Sequence, residues 1–181
     1  CKNAGELEIE WKRSKENAVK LILLMDVGGS MDPFAKIVSR LFSAAKNQFK
    51  DLKYYYFHNC IYQDLWEDAE MRKPIRTDEF LRLYDPTYRV IIVGDASMAP
   101  SELLEVNGAI YYWYYNDTPG IVWLRKIRNH FKYSVWLNPL PKRGWEYSYT
   151  TRVIKDIFPM FELSLSGLDD AVKALLGRDV R

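Results

Sequence analysis

Val19-Lys20-Leu21-Ile22-Leu23-Leu24-Met25-Asp26-Val27-Gly28-Gly29-Ser30-Met31-Asp32-Pro33 is the stretch on which the fold turns. Apart from Lys20, residues 19–25 are apolar with little alternation, which suits a parallel strand covered by helices on both faces. Asp26 then marks the carboxyl end of that strand, the edge at which open α/β sheets bind ligands. An Asp, a flexible Gly28-Gly29 pair and Ser30 at that edge predict a ligand loop.

The chain beyond the loop extends the same pattern. Phe34, Ile37, Val38, Leu41, Phe42, Ala45 and Phe49 recur at helical spacing and predict a helix over 33–50, with Asp32 as N-cap and Pro33 as first residue. Residues 53–57 and 61–66 predict two strands joined by a hairpin turn at His58-Asn59-Cys60. Residues 67–76 read as a charged loop, after which Thr77 caps a short helix carrying Phe80, Leu81 and Tyr84. The run Arg89-Val90-Ile91-Ile92-Val93-Gly94 repeats the buried-strand signature, and Asp95 ends it as Asp26 ends the first. Further helices are expected over 100–106, from Thr118-Pro119 to Phe131, over 151–158 and around Leu168 to Leu176, with strands over 133–137 and 160–165. An alternating segment over 6–11 predicts an edge strand with one wet face. The order is α/β with mostly parallel strands.

Composition narrows the function. A length of 181 residues predicts one domain over 1–181. The chain opens on Cys1 without an initiating Met, which predicts a fragment of a longer protein. Twenty-six basic against 24 acidic residues leave no polyanion-binding surplus, so nucleic acid is not expected. No segment has the ~20 apolar residues that span a bilayer and no signal peptide is visible, so a cytoplasmic location is expected. Cys1 and Cys60 support neither a disulfide framework nor a zinc site and are read as reduced thiols.

The strand-end residues can be tested as a cation cage. Hard divalent cations take carboxylates, hydroxyls and waters, and Asp26, Ser30, Thr77 and Asp95 supply that set. Asp32 reads either as an auxiliary ligand or as the helix N-cap. His58 beside Cys60 suggests a thiol–imidazole pair, but a hairpin turn explains both more simply. The cluster Tyr111 to Tyr115 reads as core or partner surface. The loop over 138–149, with Arg143, Trp145 and Tyr147, has the composition of an interface hot spot.

The segment resembles the metal-ion-dependent adhesion site of von Willebrand factor A (VWA) domains, whose first motif is D-x-S-x-S; this chain writes it D-V-G-G-S. Leu-Met-Asp-Val-Gly-Gly-Ser-Met-Asp-Pro, Tyr-Phe-His-Asn, Val-Gly-Asp-Ala-Ser-Met and Val-Trp-Leu-Asn-Pro are similar to bacterial CoxE-like members. The resemblance implies a Rossmann-like three-layer α/β/α sandwich, mostly parallel with an antiparallel edge hairpin, forming the C-terminal part of a longer protein. It implies Mg²⁺, or Mn²⁺ or Ca²⁺, held by Asp26, Ser30, Thr77 and Asp95 over the Gly28-Gly29 backbone. A partner's acidic residue would complete the shell, and a MoxR-type AAA+ ATPase is the implied partner class, in enzyme assembly or maturation. Gly28 stands where the motif has its first Ser and removes one hydroxyl ligand.

The function expected is therefore an adaptor, not an enzyme. A metal-dependent hydrolase or phosphotransferase with Asp26 as nucleophile lacks a general base, and Gly28 replaces the second acid such chemistry wants. A metal-free scaffold is the third reading.

Overall fold

A computed structural model describes residues 19–46, 51–110 and 114–177. The expected edge strand over 6–11, the end of the first helix over 47–50, and Tyr111, Tyr112 and Trp113 lie outside the described residues. Strand β1 (Lys20–Asp26) is buried from Leu21 onward on both faces, as its apolar run requires. Fully burying one Leu or Ile side chain contributes roughly 1.5–3 kcal/mol, so this strand is the natural centre of the sheet. It lies parallel between β2 (Asp51–Phe57) and β5 (Arg89–Val93). Beyond β2 come the antiparallel strands β3 (Asp64–Trp66) and β4 (Pro74–Arg76); beyond β5 come the parallel strands β6 (Ser134–Asn138) and β7 (Met160–Glu162). The order β4-β3-β2-β1-β5-β6-β7 is the mostly parallel sheet with an antiparallel edge that was expected.

Alternation along the strands divides the core. Ile22, Leu24, Val90, Ile92 and Trp136 face one layer, formed by α2 (Thr77–Leu83), α3 (Pro100–Leu104), α4 (Gly120–His130) and α5 (Tyr149–Ile157). Leu21, Leu23, Met25, Ile91 and Leu137 face the other, formed by α1 (Ala35–Lys46) and α6 (Leu165–Leu175). The result is a three-layer α/β/α sandwich.

Local expectations shift in four places. Asp32 and Pro33 fall inside a 3₁₀ turn over Gly29–Phe34, so Asp32 does not open the helix; the chain tightens through that turn first. The hairpin is looser than expected, because Cys60, Ile61 and Tyr62 turn into the core instead of extending a strand, and β3 begins only at Asp64. β4 forms inside the expected loop, pairing Ile75 with Leu65. Thr77 is the first residue of α2, not its cap, since its hydroxyl donates to the Tyr62 carbonyl at 2.6 Å. The first residue of α4 is glycine for a steric reason: a Cβ at Gly120 would stand 2.4 Å from Cys60 Sγ.

Candidate functional site

Because β1, β2, β5 and β6 run parallel, the connections that leave them gather at one edge. Asp26 ends β1 there and is only 5% exposed. Its Oδ1 accepts the Asn59 backbone N–H at 2.7 Å. Asn59 has φ 62, a left-handed conformation that Asn tolerates better than most residues. Beside the other oxygen lies Gly94: a Cβ added there would stand 3.3 Å from Asp26 Oδ2 and 3.2 Å from Asp26 Cβ. Glycine at 94 thus keeps a space open next to the carboxylate.

Burial pushes the Asp26 carboxyl up from its ordinary 3.8 to about 8. The amides of Asn59 and Val27 oppose the rise, and the negative charge of Asp95 adds to it. A cation at this place would reverse that balance by favouring the charged form.

Asp95 follows β5 and is 3% exposed. Its Oδ1 accepts the Ser97 amide at 2.9 Å, and its carbonyl accepts Asn138 Nδ2 at 2.8 Å. Ala96, with φ 57, presents its carbonyl to the hydroxyls of Thr150 at 2.9 Å and Thr151 at 3.1 Å. Trp136 Nε1 donates to the Gly94 carbonyl at 2.7 Å. The loop that carries Asp95 is therefore held by β6 and the amino end of α5, residues with no ligand signature of their own in the sequence.

Gly28 and Gly29 have φ 78 and 56, a left-handed pair that explains two glycines in succession. Ser30 and Asp32 are exposed in the 3₁₀ turn that follows. His58 packs onto this loop, with Nδ1 2.5 Å from the Val27 carbonyl and 3.4 Å from where a Gly28 Cβ would stand. Sequence reasoning gave His58 to a turn; its signal was its position just after β2, the strand next to β1. Cys60 is a buried thiol whose ionisation burial disfavours strongly.

The structure brings Asp26 and Asp95 together and places Ser30 in the Asp26 loop. Thr77 follows β4 and is held at Tyr62 and Gln63, its hydroxyl donating to the Tyr62 carbonyl and its amide to the Gln63 carbonyl at 2.8 Å. Among the described residues no hydrogen bond joins it to Asp26, Ser30 or Asp95, and it is wholly buried. Trp145 is a correction. It is 2% exposed and its Nε1 donates to the Leu140 carbonyl at 2.9 Å, so it anchors a 3₁₀ turn over Lys142–Tyr147 from beneath. Arg143 is exposed and Tyr147 is 91% exposed, leaving these two as the outward residues of that loop.

The donor set suits a hard cation in part. Two buried carboxylates and a nearby hydroxyl are the oxygen chemistry that Mg²⁺ accepts, with waters filling the shell. Among the described residues no three His, Cys, Asp or Glu side chains form a metal cage, so a cation here would draw on hydroxyls and water as well. A cavity of about 300 Å³ adjoins the loop, bounded by Met25, Asp26, Gly28, Met31, Val38 and Tyr56.

Strand order and layers make a Rossmann-like α/β domain, an architecture consistent with the von Willebrand factor A fold. Residues 4–63 match the model of the family described as VWA domain containing CoxE-like protein, a partial match that supports a VWA domain of the CoxE-like type. The match includes β1, the Gly28-Gly29 loop and β2, and stops before Thr77 and Asp95. No curated protein and no solved structure matches the chain. VWA domains commonly mediate protein interactions, and the partial match suggests an interaction or adaptor role. No helix among the described residues is long and apolar enough to cross a membrane.

Proposed function

We propose that this domain binds a protein partner through a divalent cation held at the carboxyl edge of the sheet. Asp26 and Asp95 would hold Mg²⁺, or Mn²⁺ or Ca²⁺, with Ser30 and waters, and a Glu or Asp of the partner would complete the shell. When bound, the cation supplies positive charge that a partner carboxylate can coordinate. The chain's own residues do the rest: Gly28 and Gly29 fold the loop clear of bulk, Gly94 leaves room at Asp26 Oδ2, and Asn138, Thr150 and Thr151 fix the Asp95 loop. Gly28 in place of a hydroxyl residue and the Thr77 hydroxyl engaged at Tyr62 leave more of the shell to water than the full motif would. Arg143 and Tyr147 are the proposed outer contacts, and a MoxR-type AAA+ ATPase in enzyme assembly or maturation is the proposed partner class.

The observation that carries this reading is the pair of buried carboxylates, Asp26 and Asp95, on neighbouring strand ends beside a glycine that leaves space. The test is partner capture and Mg²⁺ binding by the protein with and without EDTA. Capture that EDTA abolishes, together with saturable Mg²⁺ binding lost in Asp26→Ala, is expected. Partner capture of equal strength in EDTA would remove the cation from the mechanism and favour the metal-free scaffold.

A further inference from the structure

One buried carboxylate is not used by the cation reading. Glu102, in the first turn of α3, is 8% exposed, and among the described residues no Lys or Arg pairs with it. Its Oε1 accepts Asn59 Nδ2 at 2.7 Å and its Oε2 accepts the Ala99 amide at 2.6 Å. The same Asn59 gives its backbone N–H to Asp26 Oδ1, and Ala99 belongs to the connection that begins at Asp95. A further tie runs from the Tyr62 hydroxyl to the Glu102 carbonyl at 2.7 Å. Helix capping explains only the Oε2 contact. The Oε1 contact reaches a distant loop and serves no cap, and a carboxylate is costly to bury unless its oxygens are bonded as these are.

We propose that Glu102 is a positioning residue for the carboxylate pair. By holding the Asn59 side chain it aims the Asn59 amide at Asp26, and by holding Ala99 it ties the Asp26 side of the site to the Asp95 side. Asn at 59 meets both demands, a left-handed backbone and a side-chain donor. The consequence for cation binding rests on the function proposed above, whereas the arrangement itself can be read without metal.

Asn59→Asp breaks the contact by setting carboxylate against carboxylate, and Glu102→Gln weakens it by removing the charge that strengthens it and by making the Asn59 side-chain amide turn over to keep any bond. Combining them restores it with the direction reversed: the glutamine amide donates to the aspartate, the glutamine oxygen still accepts from Ala99, and the net charge is unchanged. With Mn²⁺ as probe on the full chain, each single variant is expected to bind about 10- to 100-fold more weakly, the range for lost outer-shell partners, and the double variant to recover most of that loss. Hydrogen exchange at the Asn59 amide, followed in EDTA, is expected to quicken in both single variants and slow again in the double. Single variants that match the wild type in both measurements, or a double variant no better than either, would overturn the proposal. A wild type that binds no Mn²⁺ sinks the cation reading instead, and the Asn59 exchange rates then decide the positioning role alone.

Discussion

Asp26→Asn changes one atom in the most strongly perturbed carboxyl of the site and keeps an oxygen for the Asn59 amide. In the cation-free protein, raising this group from 3.8 to about 8 means that its ionisation in the fold costs on the order of 6 kcal/mol more than in the unfolded chain. Between those values the native state binds more protons than the unfolded state, so stability falls as pH rises. The contribution is fully present below pH 3.8 and lost once pH passes about 8. Asparagine has no such titration. Urea unfolding from pH 4 to 9 in EDTA should therefore show the wild type losing stability relative to Asp26→Asn by several kcal/mol, most of it by pH 9. Saturating Mg²⁺ should return much of that loss to the wild type alone, because a ligand that binds only the native state stabilises it. Wild-type and Asp26→Asn curves that stay parallel across this range in EDTA would refute the burial argument.

Gly94→Ala adds a Cβ 3.2 to 3.3 Å from Asp26 and Trp136, so it should lower stability by about 1–3 kcal/mol and weaken Mg²⁺ binding, read by denaturation and calorimetry. Trp145→Ala should cost about 3–5 kcal/mol in urea unfolding because the indole is buried, whereas Tyr147→Ala should leave stability within about 0.5 kcal/mol and reduce partner capture. Cys60, buried and held in its thiol form, should resist a thiol reagent in native buffer and react fully in urea; rapid native labelling would contradict its placement.

The fold was legible wherever a long apolar run spoke for itself. β1 (Lys20–Asp26) and β5 (Arg89–Val93) are strands covered on both faces with an Asp at or just past their ends, so their place in the sheet and those Asp residues were both readable. The β2–β3 connection was not, because Ile61 and Tyr62 have strand-forming side chains that are buried without being paired in a strand. β4 was hidden by its length and its leading proline. At the site, Asp26 and Asp95 converge from distant positions as read. Thr77 was misjudged as a cap, because sequence cannot tell a cap hydroxyl from one donating to a carbonyl such as Tyr62's. Trp145 has the composition of a hot spot and the burial of an anchor. Asn59 and Asn138 lie in family-like stretches that do not say what they bond, and Glu102, Thr150 and Thr151 carry no motif; their roles come from hydrogen bonds between residues far apart in the chain.

The placement of β1 between β2 and β5 bears on what a fragment of this chain can do. Leu21 to Met25 are hydrogen-bonded to Leu52 to Tyr56 on one side and to Arg89 to Val93 on the other. A piece that stops short of Arg89 leaves the most apolar strand with one bare edge, the template on which strands of other molecules pair. Truncation before Arg89 is therefore expected to favour aggregation over a smaller binding module.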